Sequence, residues 1–291
     1  MPYNQSVFVC NLYNKYLSYL GLIVVFLFTC SAMYTKFACI IIHGTWAQNE
    51  TWYRPGGDFF EAVKSCNNEI KIVDEIVSFS WSGKLGHPAQ VEAAKKLVTL
   101  IEAYDFVILI AHSHGATVGM IASQILFGKN TNGNNCGKVV QFYSLGAPIK
   151  ESITMPSMYV IKKFYNVFSF GDFIQTVNGA YDRTFVQSGN MVNISIQYND
   201  VHPSHAQLHH PAIGMWLLKI ENFLMQNRIG NFEKFRFVEP GVIFFRDHQH
   251  PVYRTQEDQY GLLELDKKIH EWSKTVFFRG FKHENIDDSQ L

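Results

Sequence analysis

A chain of 291 residues that is 47% apolar and only 17% charged can bury a large core, which excludes global disorder. Its formal charge is zero and no basic stripe runs along it, so it carries no footprint for nucleic acid. Its five cysteines are odd in number and form no CxxC pair, so they signal neither a zinc site nor a disulfide framework.

Residues 16–33, YLSYLGLIVVFLFTCSAM, are charge-free and apolar between Lys15 and Lys36. That is the length of a short membrane span or a long signal h-region. Residues 1–35 are therefore read as a signal peptide or membrane anchor, with membrane association through 16–33 and an exported or anchored chain. If the run is only a helix packed on the domain, the chain is cytoplasmic.

From residue 36 the chain alternates strands with helices. FACIII (37–42) reads as a buried strand, HGTWAQNETWYRPGG as a loop, and DFFEAVKSC (58–66) as a helix with Asp58 as N-cap. EIVSFSW (75–81) is the next strand. PAQVEAAKKLVTLIEAY (88–104) is an amphipathic helix with proline in its first turn. FVILIA (106–111) and GATVGMIASQILF (115–127) repeat the pattern. KVVQFYSLG (138–146), VIKKFYNVFSF (160–170) and VNISIQY (192–198) are further strands, and PAIGMWLLKIENFLMQ (211–226) is a closing helix. This alternation implies a mostly parallel sheet with helices on both faces, an α/β architecture over 36–228. Residues 229–291 are read as a C-terminal extension packed on that domain, with short strands around Pro240-Gly241 and Pro251 and a helix over LLELDKKIHEWSKTVFF.

One stretch concentrates chemistry. In VILIAHSHGATVGM (107–120), Ser113 stands between a buried strand and a helix, flanked by the small residues Ala111 and Gly115. A tight turn there exposes a hydroxyl above the sheet edge, and the crowding of helix on strand demands small neighbours. A serine nucleophile needs a base and an orienting acid. Asp172, behind Gly171 and just past the strand 160–170, is the candidate acid, with Asp182 in reserve. Four histidines, His202, His205, His209 and His210, compete for the base in NDVHPSHAQLHHPAIG. Acyl chemistry also needs oxyanion donors, which the HG loop offers through the amide of Thr45, with Trp46 as a neighbouring alternative, and the turn through that of His114. The imidazoles of His43, His112 and His114 read as structural or access-shaping. The histidine cluster lacks the carboxylate or thiolate company of a metal site, so no metal is expected.

In the order IIIHGTW, FSWSG, AHSHG, FYSLGAP, FSFGDF, SHAQLHHP, the sequence resembles the α/β-hydrolase superfamily, and within it compact bacterial lipases and esterases, over residues 37–226. The resemblance implies Ser113 as nucleophile, Asp172 as acid and His205 as base, with His210 and His209 as alternative bases and Thr45 and His114 as the oxyanion hole. It departs from the common pattern in having Ala111 where the elbow usually begins with glycine. It also implies a sheet short of the fold's first two strands. The short link between the strands at 138–146 and 160–170 leaves no room for a large cap. Trp46, Trp52, Tyr53 and Phe173 are expected near the mouth, favouring an apolar acyl group. The expected activity is hydrolysis of small-molecule or lipid carboxylic esters through an acyl-serine, without a cofactor. An acyltransferase or thioesterase with the same triad, or a non-catalytic membrane-anchored binding protein on this scaffold, are the competing readings. A nucleotide-binding reading fails because no GxGxxG or GxxxxGK[ST] follows any strand. The sequence leaves the oligomeric state open.

Overall fold

The computed structural model describes residues 35–129, 136–149, 155–176, 182–185, 190–198, 202–220, 232–238, 241–246 and 249–251. The apolar run 16–33 and the segment LLELDKKIHEWSKTVFF lie outside the described residues. Among the described residues no helix is long and apolar enough to cross a membrane.

Among the described residues, nine strands form one sheet. They are β1 (Phe37–Ile42), β2 (Glu75–Phe79), β3 (Phe106–His112), β4 (Val139–Leu145), β5 (Ile161–Phe168), β6 (Met191–Tyr198), β7 (Phe232–Val238), β8 (Gly241–Arg246) and β9 (Gln249–Pro251). Their spatial order is β2-β1-β3-β4-β5-β6-β7-β8-β9. All pairings from β2 through β7 are parallel, and β8 and β9 turn back antiparallel. The C-terminal segment thus contributes strands to the main sheet through the β6–β7 pairing.

The helices are α1 (Asp58–Ile70), α2 (His87–Glu102), α3 (His114–Gly128) and α4 (Pro211–Leu217). The apolar strands predicted a sheet covered on both sides, and β1 shows how. Cys39 and Ile41 point into a core shared with α1 and α4. Ile40 and Ile42 point into the opposite core, shared with α2 and α3. Alternate residues of one strand therefore anchor two layers, and each fully buried isoleucine stabilises the fold by about 1.5–3 kcal/mol.

Boundaries differ from expectation where side chains intervene. Asp58 is the first helical residue of α1 and Gly57 takes the cap position, with no side-chain cap bond. The helix also runs past Cys66, to Ile70. There Asn67 closes it, accepting from the amides of Ile72 and Val73 and donating to the Val73 carbonyl. That wrap fixes the chain's entry into β2.

The chain leaves β1 for β2 on one side and returns to β3 on the other. The sheet order reverses there, and in open α/β sheets the crevice at such a point, beyond the carboxyl ends of the strands, binds ligands. Only residues 146–160 link β4 to β5, too few for a helical cap.

Candidate active site

Ser113 lies between the last residue of β3 and the first of α3, at φ 55° and ψ −133°. A serine in this region carries about 1–3 kcal/mol of backbone strain. The surroundings impose it: the Ser113 amide donates to the Leu145 carbonyl at 2.8 Å, while its own carbonyl accepts from Ala116 at 2.9 Å. The glycine predicted after it is required. A Cβ on Gly115 would run into the carbonyl of His43, so the crowding comes from the exit of β1 rather than from β3 itself. Ala111 is fully buried within the core of α2 and α3.

Asp172 follows β5 and is fully buried. Its Oδ2 accepts from His205 Nδ1 at 2.8 Å, and its Oδ1 accepts from the Gln175 amide at 2.9 Å. With Nδ1 holding that proton, Nε2 of a neutral His205 is left as an acceptor. The His205 side chain is 17% exposed. Ser113 Oγ and His205 Nε2 are not hydrogen-bonded to each other; bonds of this kind commonly tighten only around substrate.

The other histidines are otherwise engaged. His209 stacks on Trp52, with centroids 4.1 Å apart and planes 9° from parallel, and burial pushes its pKa down to about 3. His210 caps α4, its Nδ1 accepting from the Ala212 amide at 3.2 Å, and burial lowers it to about 4. His202 pairs with Gln197 at 2.9 Å. Asp182 is bridged through its backbone to Ile149 and forms no part of the dyad.

The loop of His43 to Trp46 packs directly on the Ser113 turn. His43 is buried between Tyr53 and Trp81, its Nε2 accepting from the Trp81 amide, and burial lowers its pKa. Thr45 Oγ1 and His114 Nδ1 lie 2.8 Å apart, so the two residues expected to supply amides also clasp each other through their side chains. No hydrogen bond among the described residues uses the Thr45 or the His114 amide. The Trp46 amide, by contrast, donates to the Gly83 carbonyl at 2.9 Å, which removes it as an alternative donor.

Of the four aromatics expected near the mouth, two are exposed and two buried. Trp46 and Phe173 are 75% and 78% exposed beside Thr45 and Asp172, and Ile174 adds to them. Trp52 and Tyr53 are buried instead: Trp52 against His209 and Phe59, and Tyr53 with its hydroxyl on the Gln48 carbonyl.

Three contributors had no assigned role in the sequence. Gly146, at φ 60°, lies under the dyad: a Cβ there would fall 2.8 Å from Asp172 Oδ2 and 3.3 Å from His205 Nδ1. Its place in FYSLGAP, directly after β4, is the one signal that marks it. Arg183 donates to the carbonyls of Ser169 and Asp172, and Gln175 donates from Nε2 to the Ala147 carbonyl. Neither carries a local signal. Among the described residues no group of three or more His, Cys, Asp or Glu could hold a metal ion.

No family model matches the chain, and no curated protein matches it. Among solved structures it is similar to a cutinase-like protein from Cryptococcus sp., with 14% identity, 66% of this chain and 94% of that one covered, and a TM-score of 0.39. It is also similar to an esterase from Pyrobaculum calidifontis, with 12% identity, 81% and 73% covered, and a TM-score of 0.33. The strand order, the serine turn after β3, the aspartate after β5 and the histidine after β6 are features of this chain itself, and by them it has the α/β-hydrolase fold.

Proposed function

We propose that the chain is a serine hydrolase that cleaves carboxylic esters through an acyl-serine intermediate. The observation that carries this is the Asp172–His205 bond at the same sheet edge as the strained Ser113 turn. Ser113 Oγ attacks the ester carbonyl carbon as His205 Nε2 takes the hydroxyl proton. Asp172 holds the imidazole through Nδ1–H and balances the imidazolium charge. The amides of Thr45 and His114 receive the oxyanion. The proton then passes to the departing alkoxide, and water, activated by the same imidazole, releases the acid. The exposed Trp46, Phe173 and Ile174 favour an apolar acyl group. Localisation at a membrane or outside the cell is supported by the apolar run 16–33 alone.

Hydrolysis of p-nitrophenyl esters of graded chain length, by the full chain and by Ser113→Ala, Asp172→Asn and His205→Ala, tests the reading. Turnover reduced by at least about 10³-fold in the serine and histidine variants is expected. Equal turnover in Ser113→Ala would refute it.

A further inference from the structure

His112 is the last residue of β3 and immediately precedes the nucleophile, yet its side chain reaches across to the loop that carries the base. Its Nε2 lies 3.0 Å from the backbone carbonyl of His205. A carbonyl can only accept, so Nε2 carries the hydrogen. The two imidazole rings pack with centroids 4.5 Å apart. Behind them, His209 meets His112 edge-on at 4.9 Å, and Trp52 meets it edge-on at 5.7 Å while stacking flat on His209. The imidazole is buried and 6% exposed.

We propose that His112 is a positioning residue: as a neutral Nε2–H donor to the His205 carbonyl, it locks the base loop onto the nucleophile turn and sets the distance between Ser113 and His205. This rests on the serine-hydrolase reading. One end of the link is covalently the elbow, because His112 and Ser113 are adjacent. The other end is the main chain of the base itself, so movement of one side is transmitted to the other within two residues. The ionisable groups facing His112 are His205, His209 and His43. All are imidazoles, and burial together with these neighbours holds His112 well below the usual histidine range. A neutral ring at this place leaves the positive charge of the reaction to His205 alone. A cation there would repel it at short range.

The test is the rate of Ser113 inactivation by a fluorophosphonate in the full chain, in His112→Gln and in His112→Met. Glutamine retains a donor at the reach of Nε2, and methionine fills similar space without one. Methionine is expected to slow inactivation by about 10²-fold, the order that a misplacement of about 1 Å produces. Glutamine is expected to restore it to within a few-fold of the parent. Equal rates for parent and methionine variant overturn the positioning role and leave the hydrolase reading intact. A parent that does not react overturns both. Should the methionine variant fail to fold, ¹⁵N-histidine spectra of the parent decide. His112 must be a neutral Nε2–H tautomer at pH 6 to 8, and an Nδ1–H or charged ring refutes the proposal.

Discussion

The Arg183 guanidinium donates from Nη2 to the backbone carbonyl of Asp172 at 2.8 Å, and from Nε to that of Ser169 at 3.2 Å. One side chain thus holds both ends of the turn that presents the candidate acid, Asp172. Replacing it with alanine removes two charge-assisted bonds and is expected to destabilise the fold by about 1.5–3 kcal/mol. It should also lower kcat more than it raises KM. Lysine cannot reproduce the fork, so Arg183→Lys should recover little. Denaturant melts and steady-state kinetics on both variants check this.

Gly146 gives a sharper prediction, because its substitution crowds the dyad together with Leu208. An added Cβ must displace Asp172 Oδ2 as well as the Leu208 side chain, with His205 Nδ1 3.3 Å away, and the left-handed backbone at φ 60° adds strain. Gly146→Ala should retain a folded core, lose about 1–2 kcal/mol of stability, and lose at least about 10²-fold in kcat. Near-normal kcat would mean that the dyad is not the catalytic pair.

How much of this could be read from sequence depended on the range of the contacts involved. Ser113, Ala111 and Gly115 were legible because the elbow is local: a buried strand, a polar turn and a helix within ten residues. Asp172 and His205 could be named together because their order after β5 and β6 follows the resemblance, whereas the stacking of His209 on Trp52 and the capping of α4 by His210 carry no local signal. Gly146, Arg183 and Gln175 act on partners far along the chain, where periodicity carries no signal. The burial of Trp52 and Tyr53 was hidden for the same reason: a polar loop does not show that its aromatics fold back beneath it.

His209 and His210 leave a mark on stability. His209 and His210 are lowered to about 3 and about 4 by burial, so between about pH 4 and 6.5 the unfolded chain binds protons that the native chain does not. Stability therefore rises with pH across this window and is lost as pH falls through it. His210→Asn keeps a cap for α4 without a titrating ring. Its Tm should fall less steeply than the parent's between pH 6.5 and 4, and its activity at pH 7 should stay within a few-fold of the parent's. Loss of activity would make His210 the base.

Trp46 and Phe173 flank the predicted nucleophile and acid loops with their rings in solvent. Alanine at both should raise KM for long-chain esters about tenfold, the equivalent of burying roughly 50 Å² of apolar surface. Short-chain esters should be unaffected. An equal change for acetyl and octanoyl esters would show that the rim does not read the acyl chain.

The most direct measurement is intact-mass and peptide mapping of the full chain after treatment with a fluorophosphonate. One adduct per chain is predicted, on the peptide containing Ser113 and absent from Ser113→Ala. A folded chain that takes up no adduct, or takes it up on another residue, would contradict it.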